Sequence, residues 1–289
     1  MSQAEPVAHS YVSQGLRLNY VEWGEAGDPP LVLLHGGRDH CRSWDDVVHA
    51  LPGDWRVIAP DLRGHGDSAA SPDGSYSMAA YVYDLAALVE QLGLAGIRIV
   101  GHSLGGAIAI RYAGIYPEKV AKLVAIEGLG PSPALLAERA RIGMAQRMRD
   151  WIEEQHALAA RRPRRYRTIE EAVQRMTTAN ERLAPALARH LTVHGLRRNA
   201  DGTHSWKYDN GVRSMPPVDF SPEQLHETWS RITCPTLLVH GADSWASNPA
   251  EDGRAGHFRN AQVVSVAGAG HWVQHDRFEV FVGLLAGFL

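Results

Sequence analysis

The stretch RIVGHSLGGAIAIRYAG, residues 98–114, places a serine between glycines where a strand pattern becomes a helix pattern. An apolar run at 97–100 leads into Gly101-His102-Ser103-Leu104-Gly105, and residues 104–114 favour a helix. A strand, a Gly-X-Ser-X-Gly sequence and a helix in succession predict a sharp turn that strains the serine backbone and needs small neighbours. We expect the Ser103 hydroxyl to project above a sheet at a helix N-terminus, where backbone N–H groups favour negative charge.

Apolar runs that alternate with helical segments predict an α/β fold, with a doubly wound, mostly parallel sheet. Six runs are typical of buried strands, at residues 31–34, 55–59, 97–100, 121–126, 236–239 and 261–266. Helices are predicted at 43–51, 76–92, 104–114 and 273–288. The alternating pattern at 10–23 predicts an additional hairpin.

Residues 128–231 break this alternation and are mostly amphipathic and helical. We predict that they form a helical lid inserted into a core made of residues 1–127 and 232–289. Thr168 is a candidate N-cap within the insertion. The basic run RRPRRYR at 161–167 is interpreted as a solvated connection between helices.

Composition excludes several classes of protein. With 289 residues, two cysteines and a formal net charge of -3, the chain has neither a disulfide framework nor the charge expected of a nucleic-acid-binding protein. Neither a signal sequence nor an apolar run long enough to span a membrane is evident. We expect a cytoplasmic enzyme that acts on a small molecule. The sequence contains no metal-ligand cluster and no phosphate loop, so we predict no metal or cofactor, and the oligomeric state stays open.

A serine hydroxyl is a weak nucleophile and needs a base. Of the fifteen histidines, His271 is the best candidate, because it lies on a glycine-rich loop after the last apolar run. His240 and His275 are weaker candidates. The oxyanion of a tetrahedral intermediate needs two backbone donors, which we assign to Leu104, directly after the serine, and Gly37.

Four motifs occur in order along the chain: His35-Gly36-Gly37 with Trp44 downstream, DLRGHGDS at 61–68, GHSLGG at 101–106 and GAGHW at 268–272. Together they resemble the serine hydrolases of the α/β-hydrolase fold, over nearly the whole chain outside the lid. The stretches IEGLGPSP and DGTHSWKYDN are similar to the serine hydrolase-like and carboxylesterase group. The resemblance implies a Ser-His-acid triad.

The acid of that triad departs from the usual pattern of the fold. In most proteins of this fold it follows the fifth run, three residues after a glycine, but here Ser244 occupies that position and Asp243 comes one residue early. Glu127 ends the preceding strand, where one subgroup of the related haloalkane dehalogenases places its acid. We favour Glu127 and keep Asp243 as the alternative. Asp61 is interpreted as part of a structural turn.

The predicted reaction is acyl transfer from a carboxylic ester of small to medium size with an apolar portion. A serine at the turn argues against epoxide hydrolase or dehalogenase chemistry, which needs a carboxylate nucleophile. Apolar walls for the substrate are available from the lid residues Met144, Trp151, Trp206 and Tyr208. Two alternatives stay open: hydrolysis of a carbon–carbon bond in a ring-cleavage product, which the histidine loop resembles, and a hydrolase scaffold used for ligand binding with little turnover.

Overall fold

The structure, a computed structural model, describes residues 5–74 and 76–289. Residues 1–4, on which part of the expectation about a signal sequence rests, lie outside the described residues. The strands are β1 (Val7–Ser13), β2 (Leu16–Trp23), β3 (Pro30–Leu34), β4 (Arg56–Pro60), β5 (Ile97–His102), β6 (Val120–Ile126), β7 (Leu196–Arg198), β8 (His204–Trp206), β9 (Thr236–Gly241) and β10 (Ala261–Val266). Eight of them form one sheet in the order β1-β2-β4-β3-β5-β6-β9-β10.

The pairing of these strands confirms the predicted sheet. Strands β3, β4, β5, β6, β9 and β10 pair in parallel, and the six predicted apolar runs fall in them, except that Trp55 of the second run precedes β4. The predicted hairpin is β1 and β2, which pair in antiparallel fashion around Gly15 at a φ of 77°. Strand β2 joins the sheet at β4, also antiparallel. The carboxyl ends of the parallel strands therefore meet at one edge, where ligands bind in folds of this kind.

Ten α-helices lie among the described residues: α1 (Asp45–Ala50), α2 (Met78–Gln91), α3 (Leu104–Ile115), α4 (Pro133–Ala140), α5 (Met144–Ala160), α6 (Ile169–Ala179), α7 (Pro185–Gly195), α8 (Pro222–Ser230), α9 (Val273–Asp276) and α10 (Phe278–Phe288). The segment predicted as one helix at 43–51 is a 3-10 turn, Cys41–Trp44, followed by α1. The segment predicted at 273–288 is two helices, α9 and α10, because the backbone leaves the helical conformation at Arg277.

Helices cover both faces of the sheet, as the continuous apolar strands require. On one face, Val32 and Leu34 of β3 belong to a buried cluster with residues of α2 and α3. On the other, Leu31 and Leu33 belong to a second cluster with residues of α1 and α10. Alternate residues of one strand thus enter two cores, because side chains of a strand point to opposite faces in turn.

The inserted segment contains α4 to α7 and the hairpin of β7 and β8. Thr168 caps α6 as predicted, since its side-chain oxygen accepts a hydrogen bond from the Glu171 N–H at 3.2 Å. Residues 161–165 are exposed between α5 and α6. Helix α8, at the end of the segment, packs closely on α3, where Gly114 meets Thr228. The bounds 128–231 of the lid stay a prediction.

Candidate active site

Ser103 lies at the turn between β5 and α3, in a strained backbone conformation with φ 51° and ψ -113°. Such a conformation costs about 1–3 kcal/mol and persists only where the surroundings enforce it. Gly101 and Gly105 make it sterically feasible. A Cβ on Gly101 would lie 2.5 Å from the Gly105 carbonyl oxygen, and one on Gly105 would overlap the Leu34 carbonyl oxygen. The two glycines flanking the serine therefore allow the turn to form.

Positive φ angles concentrate around this turn. Of the described residues other than glycine, Gln14, Arg38, Ser103 and Glu127 have a φ between 49° and 65°. Three of the four follow the carboxyl ends of the neighbouring strands β3, β5 and β6. Strain gathered at one edge of a sheet is typical of a functional site.

His271 reaches the serine from the loop after β10. Its Nε2 lies 3.0 Å from the Ser103 Oγ, within hydrogen-bond distance. A contact with β5 holds the loop in position, because the backbone carbonyl of His271 lies 2.9 Å from the Nε2 of His102. Burial lowers the pKa of His102 well below its usual value, so this ring is neutral and donates its Nε2–H to that carbonyl.

Glu127 lies behind the histidine, directly after β6. Its Oε2 is 3.3 Å from the Nδ1 of His271, and its side chain is fully buried. Two further donors hold the carboxylate: the Gly241 N–H at 2.7 Å on Oε1 and the Ser244 hydroxyl at 2.8 Å on Oε2. A buried carboxylate is stable only when its oxygens are satisfied in this way.

Asp243, the alternative acid, has a different partner. Its Oδ2 lies 3.1 Å from Nη2 of Arg182, and both side chains are about half exposed. The structure therefore brings Ser103, His271 and Glu127 together and pairs Asp243 with the inserted segment. Ser244, at the position where the fold usually carries its acid, donates instead to the carboxylate of Glu127.

One predicted oxyanion donor, Leu104, directly follows the serine, and the other, Gly37, lies on the loop after β3. Leu104 is the first residue of α3, so its N–H has no acceptor within the helix. The loop that carries Gly36 and Gly37 passes directly beside the serine, because a Cβ on Gly36 would lie 3.4 Å from the Ser103 Cβ. Gly37 itself is exposed and has open space around it.

The remaining sequence candidates serve the scaffold. Asp61 accepts hydrogen bonds from the Cys41 N–H, the Asn19 side chain and the Asp67 N–H, each at 2.8 Å, which agrees with its assignment to a structural turn. His240 contacts the Ser265 hydroxyl and a loop carbonyl. The ring of His275 contacts that of Trp272, its Nε2 is buried, and burial lowers its pKa to about 3.

A small cavity of about 30 Å³ lies between the core and the inserted segment. Its walls include Trp206 and Tyr208, two of the aromatic residues predicted for this role, together with Trp272, the neighbour of His271. Met144 is half exposed and does not line it. The residues of the inserted segment on its wall are mostly apolar or aromatic, with Lys207 among them, and the cavity adjoins the histidine loop.

Trp245 is a residue near the site that the sequence analysis did not single out. Its side chain is 77% exposed, and its ring centroid is 4.9 Å from that of His271. It follows Ser244 on the loop after β9, so its position depends on how that loop folds. Sequence spacing alone carried no signal for this contact.

Comparisons with known proteins agree with this architecture. The profile of the family described as alpha/beta hydrolase fold matches residues 29–278. A serine hydrolase-like protein of Danio rerio is 30% identical over 76% of this chain and 67% of its own length. Esterase Rv0045c of Mycobacterium tuberculosis is 28% identical over 94% of this chain and 86% of its own.

A solved thioesterase domain from the curacin biosynthetic pathway superposes with a TM-score of 0.79 at 22% identity, covering 98% of this chain and 99% of that one, and supports the fold. Other matched relatives are named epoxide hydrolases and a putative carboxylate synthase, so the similarity identifies a family rather than a substrate. Within the described ranges, no helix has the length and apolar character needed to cross a bilayer. The chain belongs to the α/β-hydrolase family and has the fold of its serine hydrolases.

Proposed function

We propose that this chain is a serine hydrolase that cleaves a carboxylic ester of small to medium size. The observation that carries the proposal is the continuous contact from the Ser103 Oγ to His271 Nε2 at 3.0 Å and from His271 Nδ1 to Glu127 at 3.3 Å. A nucleophile, a base and an orienting acid in this order form a catalytic triad. Asp243 remains the alternative acid of the proposal.

The geometry supports the following path for the protons in this mechanism. A carboxylate at Nδ1 favours the tautomer in which Nδ1–H donates to Glu127 and the Nε2 lone pair faces the serine. As the Ser103 oxygen attacks the ester carbonyl carbon, Nε2 takes its proton, and Glu127 stabilises the imidazolium that results. Backbone N–H groups of Leu104 and Gly37 donate to the oxyanion, where one such donor contributes about 3 kcal/mol.

The second half of the reaction uses the same groups. His271 gives its proton to the leaving alcohol as the carbon–oxygen bond of the ester breaks, which leaves an acyl group on Ser103. Water then attacks the acyl-enzyme while His271 accepts a proton from it, and the acid product leaves with the serine restored. No part of this cycle requires an oxidant or a reductant.

The surroundings of the triad favour an apolar portion in the substrate. The walls of the adjoining cavity include Trp206 and Tyr208, and the exposed Trp245 lies beside His271. Aromatic faces bind apolar or aromatic groups and exclude water from the reacting atoms.

The location is also a proposal. Both cysteines, Cys41 and Cys234, are free and buried. Buried free thiols suit a reducing compartment, which supports a cytoplasmic enzyme with a small-molecule substrate.

The test is hydrolysis of p-nitrophenyl esters of graded chain length, with a lactone, an amide and a vinylogous diketone acid beside them. We expect turnover of the shorter esters and labelling of Ser103 by a fluorophosphonate probe, with both lost in Ser103→Ala. Cleavage of the diketone acid in preference to every ester would favour the carbon–carbon hydrolase. A folded protein that neither turns over any substrate nor reacts with the probe would favour the binding scaffold.

A further inference from the structure

The inserted segment and the core meet at a cluster of histidines away from the triad. Helix α7 lies against the 3-10 turn Cys41–Trp44, and the carbonyl of Arg42 is 2.9 Å from Nε2 of His190. His190 and His194 are four residues apart, so they lie on one face of the helix. Their ring centroids are 4.6 Å apart.

A buried carboxylate of the core faces this pair. The Oδ2 of Asp45 lies 3.4 Å from the Nε2 of His190, and the Asp45 side chain is almost fully buried. One ligand atom from each of Asp45, His190 and His194 lies within 4.8 Å of the others. We propose that these three residues bind a divalent transition-metal ion of the zinc class, which links α7 to the core.

The chemistry of the three groups fits such an ion. Imidazole nitrogen and carboxylate oxygen are the ligands that zinc, nickel and cobalt prefer, at about 2.0–2.2 Å. Ligand atoms of a tetrahedral site with such bonds lie about 3.4 Å apart. Asp45 and His190 already have this separation, so His194 must move closer by at most about 1.4 Å. Both histidines are partly exposed, which leaves a fourth position open to water.

The ring of His194 is available to an ion. Among the described residues, no hydrogen-bond partner is found for the ring of His194, although it lies beside His190 and His40. The Nδ1 of His40 is buried and also lacks a partner within the described part of the chain. His40 is not among the three ligand groups, so its buried Nδ1 belongs to the surroundings of the site, whereas the nitrogen atoms of His194 are the ones free to face an ion.

Arg42 competes with the ion. Its Nε lies 2.8 Å from Oδ2 of Asp45 and 2.9 Å from Oδ1, so the carboxylate is already paired with a cation. The ion must share Asp45 with this guanidinium or displace it, and the two positive charges repel each other. We therefore expect removal of the Arg42 charge to strengthen metal binding.

An ion at this site would fix the position of α7, which forms part of the wall of the cavity beside the histidine loop. Leu191 and Gly195 of α7 line that cavity, as does His40. Binding to the folded chain alone raises its stability by mass action. At roughly a hundredfold excess over Kd, we expect a rise in Tm of about 5 °C.

The experiment uses the full chain, freed of metal by a chelator and titrated with ZnCl₂ by calorimetry and with CoCl₂ by visible absorption. We expect one ion per chain and the absorption of a low-coordinate Co²⁺ site. His194→Gln and His190→Gln should each weaken binding at least tenfold, and Arg42→Gln should strengthen it about tenfold. Circular dichroism without metal reports whether each variant folds.

A second histidine pair provides the control. His226 and His257 stack with ring centroids 3.6 Å apart, on α8 and after β9. His226→Gln should leave the affinity and the stoichiometry unchanged. The proposal is overturned if the wild-type chain binds no zinc or if His194→Gln binds zinc as tightly as the wild type. It is also overturned if His226→Gln weakens zinc binding as much as His194→Gln does.

Discussion

Replacement of Glu127 by glutamine tests the triad most directly, because the amide is nearly isosteric and only its hydrogen bonding differs. The carboxylate accepts from Gly241, Ser244 and His271 and donates nothing. The Gly241 N–H on Oε1 is a fixed backbone donor, so the amide oxygen of the glutamine side chain must take that side. Its NH₂ group then faces Ser244 and His271.

The amide changes the tautomer of the histidine. An NH₂ group at the Oε2 position donates a hydrogen bond to Nδ1, which must then carry the lone pair and leave its proton on Nε2. The Nε2–H cannot accept the proton of Ser103, whose oxygen lies 3.0 Å away. A triad aspartate replaced by asparagine loses about 10⁴ in kcat for this reason. We expect Glu127→Gln to lower kcat by about 10³- to 10⁴-fold, about 4–5.5 kcal/mol of transition-state stabilisation.

Asp243→Asn is the matched control. Its carboxylate pairs with Arg182 at the surface, where such a pair contributes about 0–1 kcal/mol, so kcat should change by less than about fivefold. The assay is steady-state hydrolysis of the best p-nitrophenyl ester, with Ser103→Ala as the baseline. The reasoning is refuted if kcat of Glu127→Gln stays within tenfold of wild type while kcat of Asp243→Asn falls a hundredfold. That result would assign the acid to Asp243.

Three further predictions concern the scaffold of the site. Ser244→Ala removes one of the donors to the buried acid, and we expect kcat to fall about tenfold while KM is kept, measured in the same ester assay; an unchanged kcat would show that this hydroxyl is dispensable. Gly105→Ala inserts a Cβ into the backbone at the end of β3, so the free energy of unfolding in urea should fall by about 2 kcal/mol or more. Gly283→Ala, in open space on α10, should be neutral or stabilising by about 0.5–1 kcal/mol, and an equal loss in both variants would contradict the steric argument. Burial lowers the pKa of His65 to about 4, so the unfolded state binds a proton that the folded state refuses, and stability falls as the pH drops from about 6.5 to 4, by about 3 kcal/mol from this group. His65→Asn should flatten the dependence of urea unfolding on pH over that window, and an unaltered slope would show that the group titrates normally.

Much of the fold could be predicted because its signals are short in range. Each apolar run of four to six residues coincides with a strand, apart from Trp55 just before β4, because strands of a parallel sheet covered by helices are rich in apolar residues. The predicted bounds of the helices are less accurate. The single helix predicted at 273–288 is interrupted at Arg277 and forms α9 and α10. There the break depends on how the loop before it packs, which a local pattern does not contain.

The candidate site was predictable to an unequal degree. Ser103 is identified by the glycines on either side of it, and His271 by its place after the last strand. The two acid candidates could not be separated, because their loops follow neighbouring strands and border the same edge of the sheet. Trp245 carried no signal, since its contact with His271 depends on the path of one loop.

The sequence by itself determined the succession of strands and helices along the chain and the strained serine turn. Both depend on steric and apolar patterns between residues that are close in the chain. Only the tertiary structure decided which carboxylate faces His271 and that Asp45 meets two histidines more than a hundred residues away. Those contacts depend on sheet order and on the packing of α7 against the core. Side-chain directions across such distances are set by the whole fold.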